Sequence, residues 1–261
     1  MSIRTLTIAA VLIAGSSQAG TVLEMSSRDL NGNKAETTMT TYAQNGQLRV
    51  QTSDRDAAMI FSNDTVYVIN NKEKNYVAMD RATMQKMAET VNPMLKQLQE
   101  RMAQMPPEQR AQMERMMGKN MPGAQKPVTR EVRKTSRSGK AAGYSCKYVE
   151  LLADGVVEDE LCVVEPGSLK GGDELMAAAE KMSAAMQDFV KDLDAPWLKD
   201  SIDQQTANYA KIGGIPVLSR HFTDGKPVNE TTLKSIQSQS LPAATFSVPA
   251  GYTRREMMPG R

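Results

Sequence analysis

The sequence predicts a mainly β protein with α-helices: a half-open, curved antiparallel β-barrel of about eleven strands whose concave face is covered by helices. Three observations carry this. Residues 21–79 divide into six short runs of strand-like side chains separated by turns rich in Asn, Asp and Gly. Residues 80–117 and 173–193 switch to helical spacing of their apolar residues. Strands then return, first around two cysteines and again towards the C-terminus.

The six N-terminal strands are expected at 21–28, 36–43, 47–52, 57–61, 65–69 and 75–79. Asn31-Gly32-Asn33, Asn45-Gly46, Asn63-Asp64 and Asn70-Asn71 supply the reversals, and reversals this close together favour a meander of antiparallel neighbours. Asp80 can cap a helix that carries Met84, Met87 and Val91 on one face. Asn92-Pro93 is expected to interrupt it, with Pro93 opening a second helix through Met94, Leu95, Leu98 and Met102. Pro106-Pro107-Glu108 restarts a third with Met113, Met116 and Met117 on one face, and 118–127 reads as a linker. Residues 80–127 thus form a Met-rich helical insert.

A strand is expected at 128–136, followed by a hairpin holding both cysteines. Gly171-Gly172-Asp173 opens a helix whose stripe is Leu175, Ala179, Met182, Met186, Phe189 and Leu193. A further helical turn follows at Pro196-Trp197. Residues 215–222 and 228–237 form a hairpin, a last strand covers 245–248, and 255–261 is a frayed tail. The chain contains no internal repeat. It reads as residues 1–19, a signal peptide, and 20–254, a single domain.

The signal peptide rests on Arg4, the uncharged run 6–14 and the small residues of Ser17-Gln18-Ala19 before Gly20. The apolar run is about half the roughly 20 residues of a spanning helix, and no later run approaches that length. With no cysteine after the cut there is no site for a lipid anchor. The expected address is the periplasm of a Gram-negative bacterium, with the mature chain free of transmembrane segments and peripheral membrane contact left open. Cys146 and Cys162 agree with an oxidising compartment. Read as a three-residue loop, Ala153-Asp154-Gly155 centres the hairpin on Asp154 and places Cys146 directly opposite Cys162, as a structural disulfide requires.

Composition excludes several classes of function. A net charge of +2 does not suit a nucleic-acid-coating protein. One His and two Cys leave no zinc ribbon and no multi-His centre. There is no phosphate-binding loop, dinucleotide fingerprint or nucleophile elbow. His221 lies in a strand with no nominated partner, and Glu158-Asp159-Glu160 reads as a solvated face rather than a cation site. No enzyme activity, cofactor or metal centre is expected. Charge is unevenly placed: 80–140 carries a net +7 and 150–204 a net −10. Either these segments neutralise each other in the fold, or the basic one faces anionic headgroups or an acidic partner.

Methionine is the outlier: 19 in all, ten of them between Met79 and Met121. Three readings compete: helix core, a pliable pocket for acyl chains or exposed apolar polypeptide, and thioether ligation of Cu(I).

Gly143-Tyr144-Ser145-Cys146-Lys147-Tyr148 before an Asp-Gly hairpin, and the ending Phe246-Ser247-Val248-Pro249-Ala250-Gly251-Tyr252, resemble the exported bacterial family labelled domain of unknown function 4412. Val66-Tyr67-Val68-Ile69, Lys74-Asn75-Tyr76 and the segment around Pro106-Pro107-Glu108-Gln109-Arg110 are similar to it as well. That last motif also resembles, more weakly, a repeat of small helical periplasmic stress chaperones. The family has no established activity. At the level of fold it resembles the periplasmic lipoprotein carriers of the Lol system, which are open β-barrels with a helix-covered apolar face.

The expectation is therefore a non-enzymatic binding protein for an apolar small molecule, lipid or lipoprotein, lined by Met84, Met87, Met94, Leu98, Met182, Met186 and Phe189. The alternatives are a ligand-free structural or envelope-stress protein with chaperone-like helices, and Cu(I) binding through Met.

Overall fold

The computed structural model describes residues 19–32, 35–54, 56–106, 108–109 and 128–257, with only the backbone described at 98–99, 102–103 and 196–197. The expected signal peptide, the third helix with Met113, Met116 and Met117, and the 118–127 linker lie outside the described residues.

Six strands precede the first helix: β1 (Gly20–Asp29), β2 (Thr37–Gln44), β3 (Gln47–Thr52), β4 (Ala57–Ser62), β5 (Thr65–Asn70) and β6 (Asn75–Met79). Helix α1 runs Arg81–Gln104. Then come β7 (Arg130–Ala141), β8 (Tyr144–Ala153), β9 (Val156–Val164), α2 (Gly172–Phe189), α3 (Pro196–Ile212), β10 (Ile215–Thr223), β11 (Lys226–Gln239) and the short β12 (Thr253–Arg254). All twelve strands join one sheet in the order β12-β6-β5-β4-β3-β2-β1-β11-β10-β9-β8-β7. Every pairing is antiparallel except β12 on β6. The sheet is curved and unclosed, with β12 and β7 as its two ends. The half-open barrel with helices is therefore the fold.

Turn chemistry explains the meander. Asn45-Gly46, Asn63-Asp64, Ala142-Gly143, Asp154-Gly155 and Asp224-Gly225 all have positive φ at both residues. Such two-residue turns match the twist of the strands they join.

Several expectations are corrected. Pro93 does not break α1, which is continuous through it. A proline inside a helix removes one backbone bond and kinks the rod, and here Asn92 fastens that turn to the α2–α3 connection: Nδ2 donates to the Asp192 carbonyl at 3.0 Å, and Oδ1 accepts from Asp194 N–H at 2.8 Å. The single turn expected at Pro196 is the seventeen-residue α3. It lies against α2 through a polar seam, Ser183 with Thr206 and Gln187 with Asp203, so its apolar signal is sparse. The strand expected at 245–248 is instead a 3₁₀ turn, Ala243–Phe246, followed by β12. The tail leaves the sheet later than expected: Arg255 N–H still donates to the Tyr76 carbonyl at 2.8 Å.

The cysteine hairpin also differs. Its loop is the two-residue turn Asp154-Gly155 closed by Ala153 opposite Val156, and a bulge at Leu151/Leu152 shifts the pairing by one more residue. Cys162 therefore faces Tyr148, and the disulfide to Cys146 runs diagonally between β8 and β9 with Cα atoms 5.3 Å apart. Two-residue turns and bulges each move a register by one, so the centre of a hairpin alone does not determine which side chains oppose.

In the N-terminal half, alternation sorts the sheet into two apolar faces. Ala43, Leu48, Phe61, Val66 and Met79 form one cross-strand row from β2 to β6 and join the main core beneath the helices. Tyr42, Arg49, Ile60, Tyr67 and Ala78 form the row on the opposite face. There Ile60, Ala58 and Ile69 are sealed by the C-terminal segment through Leu241, Phe246, Val248 and Tyr252. Arg49 Nη1 donates to the Thr245 carbonyl at 3.2 Å and Tyr252 Oη to Asn71 Oδ1 at 3.0 Å, fixing that strap.

Helix α2 is seated through Gly171, which has φ 83° at the helix start and whose carbonyl accepts from the buried Thr21 hydroxyl at 2.8 Å. A Cβ there would collide with Thr21 Oγ1. Gly171→Ala is expected to cost about 2 kcal/mol from left-handed strain and the clash, read as a lower urea midpoint at unchanged slope.

Candidate functional site

The helices cover the inner face through methionine. Met25 and Met84 are buried in the main core cluster, and Met59, Met79, Met87, Met176, Met182, Met186 and Met257 pack against it half-buried. Five of the seven side chains expected to line a site come together here: Met84 and Phe189 are buried, while Met87, Met182 and Met186 lie at the margin. Met94 does not join them. It is 60 % exposed, beside a shallow surface groove bounded by Pro93, Lys96, Gln97 and Glu100. The helix turns its face so that Ala88 and Leu95 continue inward from Met84. The backbone passes through Leu98, whose side chain lies outside the described residues.

The sheet supplies a second set that sequence reasoning missed. The row next to the buried one is Thr41, Val50, Met59, Val68 and Val77, on the same face because each stands two residues from a core position. Along it helix cover thins: Thr41 is buried, Val50, Met59 and Val77 are half-buried, and Val68 is 45 % exposed. Met39, two residues from Thr41, is 38 % exposed. The result is an apolar shelf about 19 Å long across five strands, contiguous with the methionine margin. Beyond Met39 and Ala57 its outer border carries polar side chains: Thr52, and Asn70 paired with Asn75, whose Nδ2 donates to Glu73 Oε2 at 2.8 Å. Continuous apolar runs such as Ala57-Ala58-Met59-Ile60-Phe61 serve both faces, so periodicity does not mark which members look inward.

Charge is organised elsewhere, in a ladder over six adjacent strands. Arg28 on β1 donates to Glu230 on β11 at 2.6 Å, and Arg220 on β10 donates to the other Glu230 oxygen at 2.8 Å. Arg220 also approaches Glu160 on β9 at 3.6 Å. Arg137 on β7 bridges Glu160 at 2.7 Å and Glu150 at 2.8 Å, and Arg133 holds Glu150 at 2.5 Å. Glu150 and Glu160 face each other directly across β8 and β9, a repulsion that Arg137 relieves while its guanidinium lies 5.0 Å from the Tyr148 ring centre. The pairs of Arg133 and Arg137 with Glu150 and Glu160, together with Arg130–Glu158 and Arg81–Asp188, join the basic segment 80–140 to the acidic segment 150–204. Glu160 is not on a solvated face, since its side chain is 12 % exposed. His221 Nδ1 lies 3.0 Å from Asp159 Oδ1 on the neighbouring strand.

The ladder sets an acid limit. Burial alone raises the Glu230 carboxyl, but hydrogen bonds from Arg220 and Arg28 more than offset it and hold the group below the usual carboxylate value. A carboxylate with a lowered folded pKa stabilises fully above its unfolded value of about 4.3, and that contribution is lost as pH falls through the folded pKa. Stability measured by urea is therefore expected to drop below about pH 4.3, and Glu230→Gln to flatten that limb while lowering the midpoint at neutral pH.

Among the described residues no group of three His, Cys, Asp or Glu side chains is placed to hold a metal ion, and no helix is long and apolar enough to cross a membrane. No family model matches the chain, and no curated protein matches it. Among solved structures it is similar to an uncharacterized conserved protein from Thermus thermophilus, at 8 % identity and a TM-score of 0.42, over 92 % of this chain and 92 % of that one. It is similar to PNGF-II at 10 % identity and a TM-score of 0.41, over 92 % of this chain and 31 % of that one. It is also similar to a LolA superfamily protein from Nitrosomonas europaea, at 8 % identity and a TM-score of 0.30, over 88 % of this chain and 90 % of that one. All three are likenesses of backbone course at low identity.

Proposed function

We propose that the protein is an exported, non-enzymatic binding protein for an apolar ligand, a lipid or the acyl part of a lipidated polypeptide. The observation that carries this reading is the composition of the core's margin. Among the half-buried side chains packed against the main core methionine is the commonest type, seven of sixteen, and Met59 continues onto the apolar shelf with Val50, Val68 and Val77. Unbranched thioethers repack around ligands of varied shape at less cost than the branched side chains beside them. The row beneath, with Phe61 and Val66 fully buried, is filled by protein, so the ligand belongs on the shelf and margin rather than deeper. The buried disulfide suits an oxidising compartment.

Binding of cis-parinaric acid, followed by its fluorescence, tests this. Val68→Asp places a charge on a side chain already 45 % exposed, so folding is expected to survive while probe affinity falls about tenfold or more. Unchanged affinity in a folded Val68→Asp protein would contradict the shelf as the site.

A further inference from the structure

The inner face of the sheet changes character from one half of the barrel to the other. Helix α2 starts against one end of the strands, where Thr21 reaches Gly171 and Glu174 Oε1 accepts from Gly46 N–H at 3.2 Å. Towards the opposite end, the same face on β2 to β6 is the apolar shelf. Beside the shelf it becomes polar, in two successive rungs. Thr37, Ser27, Thr231 and Ser219 pair across β2, β1, β11 and β10 as the first. Asp29, Asn229, His221 and Asp159 pair across β1, β11, β10 and β9 as the second. Alternation sets both on the inner face, since Ser27 and Asp29 stand two and four residues beyond the buried Met25.

The rungs are joined by their own hydrogen bonds. Ser27 Oγ donates to Asn229 Oδ1 at 3.0 Å, and Thr231 Oγ1 donates to Ser27 Oγ at 3.2 Å. His221 leans on Asp159 through Nδ1. Among the described residues, Asn229 Nδ2 and His221 Nε2 are left without partners. His221 is exposed and Ser27, Thr231, Asn229 and Asp159 are half-buried, so water still reaches the rungs. Their charged members are two carboxylates and one imidazole. Val50 pairs with Thr41 and Thr41 with Leu23, four residues before Ser27, so the shelf lies about 17 Å from the first rung along the sheet.

We propose that this polar half is a head-group site, and that the ligand is an amphiphile whose acyl chain lies on the shelf while a head bearing hydroxyl or ammonium donors lies against Ser27, Asn229, Thr231 and the His221–Asp159 pair. This rests on the binding function proposed above and narrows its ligand. The acceptors decide the class. Asp159 carries a full charge and accepts from donors, and Asn229 Oδ1 already gathers Ser27 and Thr231. A carboxylate or phosphate head would meet Asp29 and Asp159 as like charges, whereas a hydroxyl or ammonium head finds partners in them. Asn229 Nδ2 and His221 Nε2 supply donors for the ester carbonyl or hydroxyl oxygens of the same head.

Calorimetric titration of the mature full-length chain with three ligands of one chain length tests this, each below its aggregation limit: monododecanoylglycerol, dodecylammonium and dodecanoate. Wild type is expected to bind the glycerol ester, the ammonium or both about tenfold or more tighter than dodecanoate. The glycerol ester alone identifies a hydroxyl head, and the ammonium alone a cationic one. Asp159→Asn keeps the shape of an exposed pair and removes one charge, so it is expected to raise dodecanoate affinity and narrow that ratio about fivefold. Ser27→Ala with Asn229→Ala is expected to weaken the favoured ligand about tenfold at an unchanged dodecanoate affinity. Equal affinity for all three ligands in wild type, or tightest binding of dodecanoate, overturns the head-group site and leaves the shelf standing. A ratio unchanged in folded Asp159→Asn overturns it as well. A wild-type chain that binds none of the three contradicts the binding function itself, and the head-group site with it.

Discussion

Replacing Met84 by aspartate is expected to unfold the protein, whereas Met94→Asp leaves it folded and close to wild type in stability. Both residues sit on α1, ten positions apart, and the sequence reading places both in the expected apolar lining. Met84 is 7 % exposed within the main core, under α1 and against the inner face of the sheet. Removing a buried methionine costs about 2–5 kcal/mol, and the carboxylate adds a desolvation penalty with no described cation in the cluster to pair with. The sum reaches the lower part of the range of about 5–15 kcal/mol that holds a typical domain together. Met94, 60 % exposed, loses little contact and gains a solvated charge. Circular dichroism and urea titration of the two single variants separate these outcomes. Equal destabilisation by both substitutions would contradict the orientation of α1 described here.

Removing the disulfide is the second large effect. Cys162→Ala with Cys146→Ala is expected to cost about 3 kcal/mol, seen as a lower urea midpoint. The bridge encloses a short loop, sixteen residues apart in sequence, so loop closure accounts for a modest entropic share that local packing supplements. Cys162 is fully buried and Cys146 nearly so, both in the cluster that contains Val164, Ile215, Val217 and Leu218. Alanine at both sites also leaves a small void in that cluster. Because the bridge ties β8 to β9 two strands from the end of the sheet, hydrogen exchange is expected to rise first in β7, β8 and β9. A loss below about 1 kcal/mol would show that the bridge is incidental to the fold.

Much of this fold is legible in the sequence, for local reasons. The six N-terminal strands lie within a residue or two of their expected limits because Asn-Gly and Asn-Asp turns punctuate them. The α2 stripe holds because Leu175, Met182, Met186 and Phe189 keep helical spacing with no proline between them. What was not legible depends on tertiary partners. Pro93 stays inside α1 because Asn92 finds backbone partners a hundred residues away. Phe246 and Val248 read as a strand, yet they fold as a strap because the outer face of β4 and β5 offers them an apolar bed. The shelf was hidden for a related reason: Val68 and Ile69 are equally apolar, and only the register of β4, β5 and β6 shows that Val68 looks inward and half-exposed while Ile69 is sealed under the strap.

The central claim is that the methionine margin and its shelf hold an apolar ligand. The most direct test is the mass of the protein purified from the cells that make it, recorded by native and then denaturing mass spectrometry. The account predicts a native mass heavier than the polypeptide by a lipid-sized increment that is shed on denaturation, reduced in Val68→Asp. A native mass equal to that of the bare, disulfide-bonded chain would contradict it and leave a filled, ligand-free barrel. A copper-sized increment would place the methionines in metal binding instead.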